Sequence, residues 1–154
     1  MVKLLGRRPT DAAQELFAVA CREAERLSFG VGVEHLLLAC AVLSPTLELF
    51  DADAEEIRDR IRARERDALA SLGISLDSVL GELEERLGPE SRDGSCLPVS
   101  PAAKRILELA TRRRRHVSPD DLLRVLVRES PAARALLREL DVQLDELERH
   151  LSVT

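Results

Sequence analysis

The chain has 154 residues, of which 45% are hydrophobic and 33% are charged. This length and apolar content fit one domain with a buried core and exclude disordered and fibrous proteins. The net charge is −5, only 2% of the residues are aromatic, and the sequence contains neither Trp nor Tyr. Binding to nucleic acid by charge attraction and base stacking, or to an anionic membrane, is therefore disfavoured.

The cysteines and the N-terminus favour a protein of the reducing cytoplasm. Cys21, Cys40 and Cys96 are odd in number and form no C-x-x-C motif, which argues against a disulfide framework and a zinc site. Residues 1–8 are too short and too polar for a signal peptide, and no apolar run reaches the roughly 18 residues of a membrane span. We expect a cytoplasmic protein without a membrane segment, a metal ion or a cofactor.

In chain order, the first predicted element is a helix that begins behind Thr10 as its N-cap. Its apolar residues recur at spacings of three and four, which predicts one buried face made of Ala13, Leu16, Phe17, Ala20, Ala24 and Leu27. A second helix is predicted to open at the step Gly32-Val33-Glu34-His35. The pair Leu72-Gly73 then predicts a helix stop.

Between these elements, the segment from Glu48 to Arg66 alternates acids and bases around Ile57 and Ile61. Because its apolar stripe is thin, we interpret this segment as a solvated helical extension held by ion pairs. Residues 89–99 are rich in turn formers and predict an exposed linker.

The second half contains three Ser-Pro steps that predict helix starts. Ser100 is the predicted N-cap of the first helix, and Pro101 takes the first helical position, where a missing N–H costs nothing. The same arrangement recurs at Ser118-Pro119 and at Ser130-Pro131. Ser118 and Asp121 also have the spacing of a capping box.

The two halves match each other in the same order, which indicates a tandem duplication. The matched pairs of segments are 10–20 with 100–110, 31–39 with 117–125, and 69–83 with 137–151. We predict an all-α domain, residues 1–154, with about eight helices in two pseudo-symmetric four-helix repeats. Repeat one covers 10–88 and includes the charged insertion 48–66, the linker is 89–99, and repeat two covers 100–152.

These segments resemble the duplicated N-terminal domain of Clp-type ATPases, above all of the ClpC kind. The stretches that carry the resemblance are TDAAQELFAVACREAERL, VGVEHLLLA and LASLGISLDSVLGEL in the first half, and SPAAKRILELA, VSPDDLL and SPAARALLRELDVQLDEL in the second. The resemblance implies a unit that recruits substrates and adaptors to an ATPase ring. Because no G-x-x-x-x-G-K-[ST] motif is present, we expect a stand-alone domain without the ring.

The resemblance also implies a site for phosphorylated arginine. Glu34 would accept the guanidinium through two hydrogen bonds, while nearby helix N-termini receive the phosphate. Asp120 is the counterpart of Glu34 and is shorter by one methylene. Thr10 and Ser100 would add phosphate contacts to their capping role. From the residues alone, Glu34 is a first-turn acid favoured by the helix dipole. The sequence departs from the family pattern at Pro9 and at Asp120-Asp121.

The one basic run contains Arg112, Arg113, Arg114 and Arg115 and lies at the predicted end of a helix, where cations are favoured. It is a candidate surface for an acidic partner. We predict a non-catalytic protein-binding module of the Clp proteolysis system, with a Clp ATPase, adaptors, substrates or phosphoarginine-modified proteins as partners, which acts as an adaptor or a decoy. The alternative is a DNA-associated regulator that uses the arginine run and the helix-turn-helix-like segment 118–127. No constellation of catalytic side chains supports an enzyme.

Overall fold

The computed structural model describes residues 11–27, 30–75, 78, 81, 98–113 and 116–153. Within these ranges the chain forms seven α-helices: α1 (Asp11–Leu27), α2 (Val33–Leu43), α3 (Ala54–Ala70), α4 (Pro101–Arg113), α5 (Pro119–Glu129), α6 (Pro131–Glu139) and α7 (Leu144–Val153). A short 3-10 turn, η1 (Glu48–Phe50), precedes α3. The all-α class is thus confirmed for the described ranges, and the arrangement in two repeats stays a prediction.

Several predicted features lie outside the described residues. They are the cap Thr10, the departure at Pro9, Cys96, most of the linker 89–99, Arg114 and Arg115.

Helix α2 lies at the centre of the fold, where it packs against α1, α3, α4, α5 and α6. Its sequence VEHLLLACAVL is apolar on nearly every side, and eight of its eleven residues are buried. A helix of this composition is stable in water only when other helices surround it. Helix α1 covers one side with part of its predicted face, since Ala13, Leu16, Ala20 and Ala24 are all buried.

The predicted caps of the second half are confirmed. Ser100 Oγ accepts a hydrogen bond from the Ala103 N–H at 3.1 Å, and Ser130 Oγ accepts the corresponding bond at the start of α6. At the start of α5, Ser118 and Asp121 exchange two hydrogen bonds of 3.1 Å between side chain and backbone. This reciprocal pair is the capping box predicted from the spacing.

The prediction of a solvated extension at Glu48–Arg66 holds in part: the segment contains a helix that is exposed along most of its length, but its thin apolar stripe is buried. The helix in this region begins only at Ala54, behind Asp53 as its N-cap, and ends at Ala70. Ile57 and Ile61 are 0% and 1% exposed, and α3 packs against α1 and α2. Two isoleucines four residues apart suffice for this burial because both neighbouring helices cover the same narrow stripe.

Ion pairs fasten α3 to other helices, as the charge pattern predicted. The Arg58 guanidinium donates two hydrogen bonds to the Glu23 carboxylate of α1, at 2.9 and 2.7 Å, and also pairs with Glu55. The Glu23 side chain is only 9% exposed, and its hydrogen bonds raise the pKa of Arg58. Arg64 reaches Glu139 of α6 at 2.6 Å, and both of these side chains are more than 40% exposed. The Glu23–Arg58 pair is therefore the stronger link.

No helix in the described part of the chain combines the length and the apolar character needed to cross a bilayer. Cys21 and Cys40 are not joined in a disulfide, and Cys40 is buried in α2.

Candidate ligand-binding site at two neighbouring helix starts

The starts of α2 and α4 lie side by side because a parallel β-bridge joins Val31 to Val99. The Val31 N–H donates to the Pro98 carbonyl at 2.8 Å, and the Ser100 N–H donates to the Val31 carbonyl at 2.9 Å. Both bridge residues lie two positions before the first residue of a helix, so the two helices begin at the same level. Gly30 allows this approach, since a Cβ at that position would lie 2.9 Å from the Pro98 carbonyl oxygen.

Glu34 is the second residue of α2, and its carboxylate folds back over Gly32. A Cβ on Gly32 would lie 2.6 Å from either carboxylate oxygen, so the absence of a side chain at position 32 makes room for this conformation. The Glu34 side chain is 36% exposed and makes no capping hydrogen bond. Its negative charge is favoured at the start of a helix. An accessible carboxylate thus stands at the N-terminus of α2.

His35 is the next residue, and its buried side chain caps the first turn of α2. The Gly32 N–H donates to His35 Nδ1 at 2.9 Å. The imidazole is fully buried, and its Nε2 has no hydrogen-bond partner among the described residues. Burial lowers the pKa of His35 and outweighs the opposing effects of Glu34, Glu65 and Glu23. Because Nδ1 accepts a hydrogen bond, the neutral imidazole carries its proton on Nε2.

Ser100 contributes hydrogen-bond donors on the α4 side of the site. Its Oγ accepts from Ala103, which leaves the hydroxyl proton able to donate to a ligand. The first-turn N–H groups of a helix lack acceptors within the helix and attract anions. The site therefore combines one acceptor, Glu34, with donors from the starts of α2 and α4, which is suited to a ligand that carries both a cation and an anion.

Asp120 occupies the matching second position of α5, but its surroundings differ. Its Oδ1 accepts hydrogen bonds from Ser44 Oγ at 2.9 Å and from Thr46 Oγ1 at 2.8 Å. Thr46 is only 4% exposed, and Asp120 is half-buried. Asp120 thus ties the segment after α2 to the start of α5. Together with burial, its charge raises the pKa of the Cys40 thiol, which therefore stays protonated.

The structure does not bring Arg112, the first residue of the arginine run, to this site. Arg112 is exposed in the last turn of α4, and Arg113 is the last helical residue. At 1.5 Å per residue, Arg112 lies roughly 18 Å along the helix axis from Ser100. Among the described residues, no three His, Cys, Asp or Glu side chains are grouped so that they could hold a metal ion.

Sequence reasoning missed two features of the site. It placed His35 at a helix start without a role, although His35 stands three residues after Gly32, as Asp121 does after Ser118. That shared spacing is the signal that could have revealed its capping bond. The hydroxyl partners of Asp120 gave no such signal, since they lie more than seventy residues away in the sequence.

The chain is 27% identical over 146 residues to the chaperone protein ClpB of Oceanobacillus iheyensis. The match covers 90% of this chain but only 16% of the length of that relative. No protein-family model matches the chain. The similarity suggests a Clp-related domain, whereas the ClpC kind named from the motifs stays a prediction.

Proposed function

We propose that the protein is a non-catalytic binding module of a Clp system that receives substrates, adaptors or phosphoarginine-marked proteins for a Clp ATPase. The similarity to ClpB and the helical fold support the Clp link. The observation that carries the binding role is the partly exposed carboxylate of Glu34 beside two helix starts. The predicted cytoplasmic location and the action as an adaptor or a decoy belong to the same proposal.

Phosphoarginine has the two charges that this arrangement requires. Its guanidinium would donate two parallel hydrogen bonds to Glu34, which is the geometry that arginine forms with carboxylates. Its phosphate would accept from the Ser100 hydroxyl and from first-turn N–H groups of α2. The bridge between Val31 and Val99 supports this pairing, because it holds the two helix starts together.

The two-repeat arrangement is also part of the proposal. It would provide a second site at Asp120, in addition to the first at Glu34. The similar first turns of α2 and α5 support the duplication, since each carries an acid at its second position and a capping side chain at its third.

The test is calorimetric titration of the protein with free phosphoarginine. Arginine and inorganic phosphate, titrated separately, report the contribution of each half of the ligand. We expect Glu34→Gln to weaken phosphoarginine binding about tenfold or more, because the carboxylate loses its charge-assisted hydrogen bonds.

The matched control is Glu56→Gln, which changes an exposed acid in the first turn of α3. This variant should bind like the unmodified protein. Equal affinity of Glu34→Gln and the unmodified protein would refute the role of Glu34. Retardation of duplex DNA at physiological salt would support the alternative that rests on Arg112–Arg115 and segment 118–127.

A further inference from the structure

The first turn of α2 depends on a hydrogen bond that only one form of His35 can accept. The bond from the Gly32 N–H requires an unprotonated Nδ1. In the usual capping box, a Glu or Gln at this third position accepts the same bond. At the start of α5, Asp121 has this role towards Ser118. A histidine here is unusual because its Nδ1 can no longer accept a hydrogen bond once the ring is protonated.

Protonation of His35 would change the turn in two ways. A proton on Nδ1 would face the Gly32 N–H, so two donors would oppose each other and the hydrogen bond would be lost. The imidazolium would also attract the nearest carboxylate, that of Glu34, whose Oε1 lies 3.7 Å from Nδ1. Both changes would move the Glu34 carboxylate from its position over Gly32.

Other carboxylates near His35 also favour its protonated form, but each does so less than Glu34. Among the described residues, the carboxylates that raise its pKa are Glu34 of α2, Glu65 of α3 and Glu23 of α1, and α4, α5 and α6 contribute none. The charge of Glu23 is offset by its two hydrogen bonds to Arg58. The buried Nε2 has no acceptor among the described residues, so the neutral form holds an unsatisfied donor.

We propose that His35 is a positioning residue: its neutral, Nε2-protonated form leaves Glu34 in the conformation that binds ligand, and protonation of its ring draws Glu34 out of that conformation towards the imidazolium. The ligand in this inference is the one of the proposed function, on which the inference therefore rests. The tautomer of His35, in contrast, does not depend on any ligand. The Glu34 site therefore binds its ligand at neutral pH and loses this affinity in acid.

The same arrangement fixes the sign of the pH effect on stability. Burial holds the pKa of folded His35 below its ordinary value of 6.5, so between the two pKa values the unfolded chain binds more protons than the folded protein. The contribution of His35 to the free energy of unfolding is therefore complete above about pH 6.5 and decreases as the pH falls below that value.

The first measurement is long-range ¹H–¹⁵N NMR of the unmodified protein without ligand, which distinguishes the two neutral tautomers of His35. We expect the proton on Nε2, and we expect the Gly32 amide resonance to titrate together with the imidazole. A proton on Nδ1 at neutral pH would overturn the proposal, whether or not the protein binds phosphoarginine.

The second measurement compares two variants by calorimetry with phosphoarginine. His35→Gln keeps an acceptor for the Gly32 N–H but cannot titrate, whereas His35→Leu removes the acceptor. We expect His35→Gln to bind like the unmodified protein at neutral pH and to lose less affinity in acid. We expect His35→Leu to bind about tenfold more weakly at every pH, because a displaced carboxylate loses a charge-assisted hydrogen bond.

The comparison with His35→Gln removes the ionisation of the phosphate as a cause, because both proteins meet the same ligand. Circular dichroism establishes that each variant is folded, and ³¹P NMR establishes that the acid-labile ligand stays intact. Unchanged affinity in folded His35→Leu, or identical pH profiles for His35→Gln and the unmodified protein, would overturn the positioning role. If the unmodified protein binds no phosphoarginine, the proposed function fails, while the NMR titration still decides the state of His35.

Discussion

The first turns of α2 and α5 have an acid and a capping side chain at the same positions, but the surroundings of the two acids differ. Each has an acid at its second position, Glu34 in α2 and Asp120 in α5, and a side chain at the third position that accepts from the N-cap N–H. Glu34 is partly exposed and makes no capping bond, whereas Asp120 accepts two hydroxyl hydrogen bonds from the segment after α2. Position in a helix therefore does not determine the role of an acid, because its neighbours from the rest of the chain decide which hydrogen bonds it makes.

The comparison predicts a large difference in stability between the two acids. We expect Asp120→Ala to lower the free energy of unfolding by about 2 kcal/mol, because it leaves the hydroxyl of the buried Thr46 without its acceptor, whereas the Ser44 hydroxyl can still donate to Thr46 Oγ1. Glu34→Ala should lower it by less than about 1 kcal/mol, the usual contribution of a charge at a helix end. Urea denaturation measures both values. Asp120→Asn, which keeps an acceptor oxygen, is the control for Asp120→Ala, and equal losses for Glu34→Ala and Asp120→Ala would refute the contrast.

The caps of the two turns provide a smaller and more local test. Ser118→Ala removes the acceptor for the Asp121 N–H, and we expect a loss of about 1 kcal/mol in the free energy of unfolding. Ser118→Gly serves as the comparison, since glycine is the N-cap residue of α2 and costs only a few tenths of a kcal/mol at such positions. Thermal or urea denaturation distinguishes the two variants. A loss as large for Ser118→Gly as for Ser118→Ala would mean that the cap is not the cause.

The reverse substitution, Gly32→Ser, gives the N-cap of α2 the residue type that caps α5. We expect it to have the smallest effect on stability of these variants. The backbone at Gly32 is extended, with φ −105°, so serine fits there without strain. The free energy of unfolding should change by less than about 0.5 kcal/mol. The new Cβ would nevertheless push against the Glu34 carboxylate, and phosphoarginine binding should weaken. Unchanged binding would contradict the close fit between Gly32 and Glu34.

The residues that sequence reasoning located correctly are those whose partners lie within one helical turn. The caps Ser100, Ser118 and Ser130 each bond to a group three residues ahead, and a spacing of three is visible in the sequence. The buried residues Ala13, Leu16, Ala20 and Ala24 of α1 could be predicted for a similar reason, since they recur with the helical period.

The features that could not be predicted depend on distant contacts. The burial of Ile57 and Ile61 requires α1 and α2 to pack against α3, and the sequence shows the two isoleucines but not the helices that cover them. Likewise, the hydrogen bonds of Asp120 connect it to Ser44 and Thr46, and nothing around either segment marks the other as its partner. The acid of the candidate site could be named from the sequence, but the surroundings that distinguish Glu34 from Asp120 could not.

The bridge between Val31 and Val99 makes the proposed receptor a late product of folding. Helices form from local contacts within microseconds, whereas pairing of segments far apart in the sequence requires closure of a long loop. Glu34 and Ser100 face a common ligand only after that closure, so a chain still emerging from the ribosome, or one cut between α3 and α4, would contain the residues without the receptor. If the proposed function is correct, the protein would thus acquire its ligand selectivity only after the segment around Val99 has been synthesised and has paired with Val31.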